Sequence, residues 1–246
     1  MAALTVELRA KRFPALGAAP AREVLGPLRL VVAAGETVAV LGPSGCGKTT
    51  LLNLVAGLDR DLDGRIERAP GPIGFVFQEP RLLPWRTVAD NLRFVLGPLP
   101  DAEARITEAL AEVELAAARE LYASRLSLGM ARRVALARAF IVRPSLVLLD
   151  EPFVSLDQPT AARLRLLVLD LLRRHRTTAL LVTHEPREAV MLADRVLVLG
   201  EPPGRPRAIR EVSLDPAARR DPAAVEAATR HVLADLLAPS AAADAA

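Results

Sequence analysis

Two kinds of apolar spacing alternate along the chain. Runs rich in Val, Ile and Leu, namely Thr37 to Leu41, Ile73 to Phe77, Ser145 to Leu149, Thr178 to Thr183 and Arg195 to Leu199, are a few residues long and bounded by breakers. That pattern predicts buried strands. The longer segments between them carry apolar residues at helical spacing, so the alternation predicts an α/β domain with a mostly parallel core sheet. Leu28 to Val32 is expected to pair through the Ala34-Gly35-Glu36 turn with the strand from Thr37 onward, an antiparallel β element near the start. From about 82 to 142 the spacing is helical without a convincing strand, as in Asp101 to Val113, and reads as a helical insertion. Pro159 and Pro222 mark later helix starts, where a missing N–H costs nothing. Pro239 should stop the last helix and leave Ser240 to Ala246 as a frayed tail, which makes residues 1–239 one domain.

Composition narrows the class. With 51% apolar residues among 246, a sizeable buried core is available. Lys and Arg outnumber Asp and Glu only 32 to 29, so no nucleic-acid partner is expected. Charges or prolines interrupt each apolar stretch well short of membrane-spanning length, which predicts a soluble chain. The single Cys46 cannot form an internal disulfide and fits a reducing compartment, the cytoplasm by default.

The candidate chemistry starts at Gly42-Pro43-Ser44-Gly45-Cys46-Gly47-Lys48-Thr49, which matches G-x-x-x-x-G-K-[ST] between an expected strand and an expected helix. Glycines there let successive backbone N–H groups converge on phosphate oxygens, and the helix N-terminus adds partial positive charge. The motif points to a nucleoside triphosphate with Mg²⁺: Lys48 reaches the β- and γ-phosphates, Thr49 offers its hydroxyl to the metal, and Thr50 hydrogen-bonds an α-phosphate oxygen. Cys46 reads as a small loop residue or a redox site, and a helix N-terminus lowers a thiol pKa.

A second site follows at Leu146-Val147-Leu148-Leu149-Asp150-Glu151, an apolar strand delivering two carboxylates at its end. Neighbouring strand residues point to opposite faces, so the two acids need different tasks. Asp150 suits the metal, often through water, and Glu151 suits polarising the water that attacks the γ-phosphate.

In the order of these and further motifs, the chain resembles the nucleotide-binding subunit of an ABC transporter from about Phe13 to about Gly200. Gln78 in Phe75-Val76-Phe77-Gln78-Glu79-Pro80 resembles the Q-loop, Leu126-Ser127-Leu128-Gly129-Met130 the LSGGQ signature, Ser155-Leu156-Asp157 the D-loop, and His184 the switch histidine. The resemblance implies a P-loop NTPase fold in which two such subunits, here a homodimer, sandwich two ATP molecules. Each site then joins one copy's Gly42–Thr50 loop to the other copy's signature helix. It also implies roles: Gln78 at the metal or the water, His184 and Ser127 at the γ-phosphate, Gly129 allowing close approach, Asp157 across the dimer interface, and Phe13 stacked on adenine. By itself Phe13 also reads as a core residue. The signature departs from the family pattern at Leu128 and Met130, which leaves an impaired or partner-dependent ATPase open.

The Gln78 to Trp85 segment, QEPRLLPW, resembles importer ATPases for nitrate, taurine and alkanesulfonates. The implied partners are an integral-membrane permease subunit, received near Leu82, Leu83, Pro84 and Trp85, and indirectly an extracytoplasmic solute-binding protein. The same four residues also suit packing within the insertion's own core. The implied location is cytoplasmic and peripheral on the inner face of the cell membrane. A non-transport ABC-type ATPase, or a regulatory subunit with a weakened signature, is the alternative.

Overall fold

The computed structural model describes residues 2–15 and 20–237, with side chains through residue 233. Expectations for Pro239 and the tail from Ser240 lie outside the described residues. The chain divides into two compact units, residues 1–69 with 180–246, and residues 70–179.

The first unit opens with a long strand, β1 (Ala2–Phe13), followed by β2 (Arg22–Leu25) and β3 (Leu28–Ala33). In β1, Leu4, Val6, Leu8 and Ala10 are buried while their neighbours Glu7 and Arg9 are exposed, the period-two pattern of a sheet with one covered face. β1 pairs antiparallel with β2, with β3 and with β5 (Asp63–Arg68). β4 (Thr37–Leu41) follows β3, and its five residues are all buried. The expected pairing of Leu28–Val32 with Thr37 onward does not form. The turn is there, with the Glu36 N–H donating to Ala33 O at 3.2 Å. The two strands nevertheless join different sheets: β3 pairs with β1, whereas β4 lies parallel to β9 (Arg195–Leu199). The reason is burial, since β3 alternates and covers one face, whereas β4 needs apolar cover on both.

In the second sheet of this unit, β10 (Pro206–Glu211) pairs antiparallel with β9, β9 with β4, and β8 (Thr178–Thr183) lies beside β4. Three helices belong here: α1 (Lys48–Ala56), α6 (Pro186–Leu192) and α7 (Pro222–Leu237). Helix α1 stops where Gly57 takes the left-handed conformation, its N–H reaching Leu54 O while the Leu58 N–H reaches Asn53 O.

The second unit holds a parallel strand pair, β6 (Ile73–Val76) and β7 (Leu146–Asp150). Between them in sequence come α2 (Val88–Leu96), α3 (Ala102–Glu112) and α4 (Leu128–Phe140), so the described residues from 82 to 142 contain no strand. Two of the three starts carry a local signal: Thr87 Oγ1 accepts from the Asp90 N–H at 3.1 Å at the head of α2, and Ser127 Oγ from the Met130 N–H at 3.3 Å at the head of α4. Helix α5 (Gln158–His175) follows β7, capped by Asp157 with Pro159 in its first turn. Among the described residues, no helix is long and apolar enough to cross a membrane.

Candidate active site

In the first unit the loop from Gly42 to Gly47 runs from the end of β4 to the start of α1. Gly47 is the N-cap residue of α1 at φ 100°, where an L side chain is strained, and an added Cβ there would lie 2.7 Å from Leu25 Cδ2. Having no side chain, Gly47 leaves the first-turn N–H groups of α1 to an outside acceptor. Lys48 is buried, and its ammonium donates to Gly42 O at 2.8 Å and Pro43 O at 2.9 Å, which holds a compact cation against the loop. Ser44, Gly45 and Thr49 are exposed and Pro43 and Thr50 half-buried, so the loop presents backbone N–H groups, one ammonium and two threonine hydroxyls, the donor set a triphosphate needs.

Cys46 is the small packed loop residue that its place in the motif suggests. Its side chain is fully buried, and that burial pushes the thiol pKa up, outweighing the nearby Lys48 charge that lowers it. A buried protonated thiol is a packing residue, which removes the redox reading.

Two segments unmarked by any sequence motif brace this loop. Leu25 and Val24 on β2 pack against Gly47, and an added Cβ on Gly204 would lie 2.1 Å from Cys46 O. The Gly204 N–H donates to Val24 O at 2.9 Å, so both braces are tied together. Phe13, at the end of β1, is 43% exposed and therefore is not a core residue. His184 is exposed just past β8, beside Glu185, whose N–H donates to Thr183 Oγ1 at 3.0 Å.

In the second unit Asp150 ends β7 and is buried. Glu151 then leaves the strand at φ 42°, a left-handed conformation that costs a β-carbon residue about 1 kcal/mol or more. The Glu151 carbonyl accepts from the Val154 N–H at 3.3 Å, closing a tight turn, and Ser155 is left-handed too. Asp157 is exposed; its Oδ1 accepts from the Thr160 N–H at 3.0 Å, and hydrogen bonding from Thr160 holds its pKa below the usual carboxylate value. Gln78 is exposed two residues beyond β6.

Ser127 stands exposed at the head of α4, with Leu128 42% exposed beside it. Gly129 fits a close contact: an added Cβ would lie 2.9 Å from Thr160 Cγ2 on α5. Nothing in the sequence marks Arg132, one turn further, as buried, because burial of a cation leaves no local signal. It is 3% exposed, donates through Nη2 to Val154 O at 2.9 Å, and so links the signature helix to the turn after Glu151.

The segment after Gln78 is likewise held by α4. Arg138 donates to Arg81 O at 2.6 Å and Pro80 O at 2.8 Å, and the buried Asn91 side chain accepts from the Leu83 N–H at 2.7 Å. Leu82 and Leu83 are half-buried, but Trp85 is 68% and Phe94 74% exposed, so these two rings do not pack the unit's own core. Near them a groove of about 470 Å³ is lined by Phe75, Phe77, Leu83, Phe94 and Val95, with Phe75 and Phe77 stacked at 4.0 Å.

The ABC transporter family model matches residues 25–154 of this chain. An aliphatic sulfonates import ATP-binding protein of Burkholderia lata is 49% identical over 191 residues, which cover 75% of this chain and 70% of the relative. A protein of the same description from Pseudomonas aeruginosa is 48% identical over 218 residues, 83% of this chain and 86% of the relative. Among solved structures, the dimeric structure of a bacterial ABC transporter cassette matches with a TM-score of 0.76 at 26% identity, covering 86% of this chain and all of that one. A post-hydrolysis cassette dimer bound to ADP and Pi matches with a TM-score of 0.74 at 25% identity.

Proposed function

Because the chain belongs to the ABC transporter family and is an ATP-binding, ATP-hydrolysing importer subunit, we propose that it energises uptake of an aliphatic sulfonate through a membrane permease. The observation that carries the import reading is the identity of nearly half the residues, over most of the chain, to proteins described as sulfonate importers. The non-transport alternative has no comparable support. The protein works at the inner face of the membrane, and its solute reaches the permease from an extracytoplasmic binding protein.

The roles follow from the donor sets. Lys48 and the first-turn N–H groups of α1 hold the β- and γ-phosphates, which lets developing negative charge be met by groups already in place. Thr50 donates to an α-phosphate oxygen. Thr49, Asp150 and Gln78 would hold Mg²⁺, which would supply charge neutralisation for the phosphates. Glu151 takes a proton from the water whose oxygen attacks the γ-phosphorus, the bond to the leaving ADP oxygen breaks, and inorganic phosphate departs. His184 donates to the γ-phosphate.

The other half of the site is a second copy's Ser127 hydroxyl and the N-terminus of its α4, with Gly129 granting close approach. Asp157, beyond capping its own helix, addresses that second copy. Leu128 and Met130 replace residues of the family signature, and neither removes the Ser127 hydroxyl or the α4 N-terminus. The groove beside Phe94 and the exposed Trp85 receive the permease.

Glu151→Gln tests this reading. It keeps the side-chain shape and removes the base, so hydrolysis should fall roughly 10²- to 10⁴-fold, while ATP binding persists and gel filtration with ATP shows a dimer. Unchanged hydrolysis by that variant would overturn the base assignment. Reconstitution with the permease and binding protein tests the solute class: an alkanesulfonate should stimulate hydrolysis, and stimulation by nitrate alone would refute it.

A further inference from the structure

We propose that Lys11 is a positioning residue for the nucleotide base: its buried ammonium fixes the Phe13 ring on which adenine stacks. The inference rests on the proposed role of Phe13 and adds to it a residue that no motif marks.

Lys11 and Phe13 are two apart at the end of β1, where the register with β2 shifts between Lys11 and Arg12, so their pairing rests on the contact itself rather than on strand alternation. Lys11 is 2% exposed, an uncommon state for a lysine. Its ammonium donates to Asp61 O at 2.6 Å, to Asp61 Oδ2 at 3.1 Å and to Asp59 Oδ1 at 3.2 Å. Asp59 Oδ1 also accepts from the Asp61 N–H at 3.0 Å, so the anchoring loop is itself closed. With its hydrogen bonds directed to that loop, the ammonium sits 4.7 Å from the Phe13 ring centroid, a cation–π contact.

The same strand end is tied to the phosphate loop. Lys11 lies opposite Leu25 and Phe13 opposite Arg22 in the β1–β2 register. Leu25 is the residue whose Cδ2 would be 2.7 Å from a Cβ on Gly47. Phe13 therefore stands about 7 Å, two strand residues, beyond the β1 position whose β2 partner touches the loop. The anchoring aspartates follow Gly57, the cap that ends α1, so Lys11 also ties β1 to the exit of the helix that Lys48 begins.

The physical consequence is one-sided. An ammonium against the ring draws π-density towards itself and leaves the other face a better partner for an electron-rich purine. It also removes rotamer freedom that a 43% exposed phenylalanine would otherwise lose on binding. Both effects act on the base and neither on the phosphates.

The test compares ATP with inorganic tripolyphosphate, each with Mg²⁺, as ligands of the full chain. Lys11→Met keeps the stem and removes the charge; ATP affinity should fall about 3- to 10-fold with tripolyphosphate affinity unchanged, KM for ATP rising and kcat holding. Lys11→Arg, which restores a cation, should recover ATP affinity to within about twofold. In a Phe13→Ala background Lys11→Met should add nothing, because the ring it positions is gone. Should Lys11→Met fold poorly, Lys11→Gln, which still donates to Asp61 O, carries the same expectation. Equal loss for ATP and tripolyphosphate, or full additivity with Phe13→Ala, overturns the proposal. If Phe13→Ala itself leaves the ATP-to-tripolyphosphate ratio unchanged, the stacking role fails and the Lys11 inference falls with it. If Phe13→Ala lowers that ratio and Lys11→Met does not, only the Lys11 inference fails.

Discussion

At the scale of single residues, the turn after β7 places its two acids in different states. Asp150 is buried within the strand, whereas Glu151 is half-buried and held at φ 42°. The left-handed backbone turns the chain out of the strand at this residue, and a β-carbon there is strained by about 1 kcal/mol. Two variants isolate that strain. Glu151→Ala and Glu151→Gly both lose the carboxylate and both should lose hydrolysis, but only glycine relaxes the backbone. Glu151→Gly should therefore melt about 2–4 °C higher than Glu151→Ala, measured by calorimetry. Equal melting temperatures would show that the turn is unstrained. The acids themselves are readable from sequence because strand and motif are contiguous. The positive φ is not, since glutamate gives no hint of it. Arg132 and Lys11 are unreadable for a related reason: the carbonyl and carboxylates that hold them lie 22 to 50 residues away.

At the scale of elements, α4 shows how a short motif is built into packing. Ser127 caps the helix, Leu128 faces outward, and Gly129 sits where a methyl group would meet Thr160 Cγ2 at 2.9 Å. Threonine is stiff at χ1, so the contact cannot be relieved cheaply. Gly129→Ala should cost about 1–3 kcal/mol through overpacking, and adding Thr160→Ala should recover most of the lost melting temperature. A double variant no more stable than Gly129→Ala would place the role of this glycine outside the α4–α5 contact. The strands are unevenly legible. Thr37–Leu41, Thr178–Thr183 and Arg195–Leu199 have wholly apolar interiors and match their predicted limits. β1 alternates at Leu4, Val6 and Leu8 yet escapes the list of expected strands, because alanines and charges dilute its apolar content. β5 and β10 are mostly exposed and carry almost no hydrophobic signal. The misplaced pairing of β3 with β4 shows that a correct turn does not decide a partner. Whether one face or both must be covered decides it.

At the scale of the whole chain, the residues assigned to one reaction are divided between two compact units. Residues 42–50 and His184 belong to the first, while Gln78, Ser127, Asp150, Glu151 and Asp157 belong to the second. Sequence order shows the motifs in succession but not this division, which arises from packing between segments far apart in the chain. The second unit also carries the chain's single tryptophan, Trp85, 68% exposed two residues past the groove-lining Leu83. One indole on the proposed docking face makes the protein its own optical reporter. Excited selectively, it should emit at shorter wavelength and resist acrylamide quenching when liposomes containing a permease stripped of its own tryptophans are added. Empty liposomes should leave both readings unchanged, and a permease-induced signal no different from theirs would remove Trp85 from the contact. Every change in that emission belongs to one known position, so assembly of the transporter can be followed in real time without attaching a label.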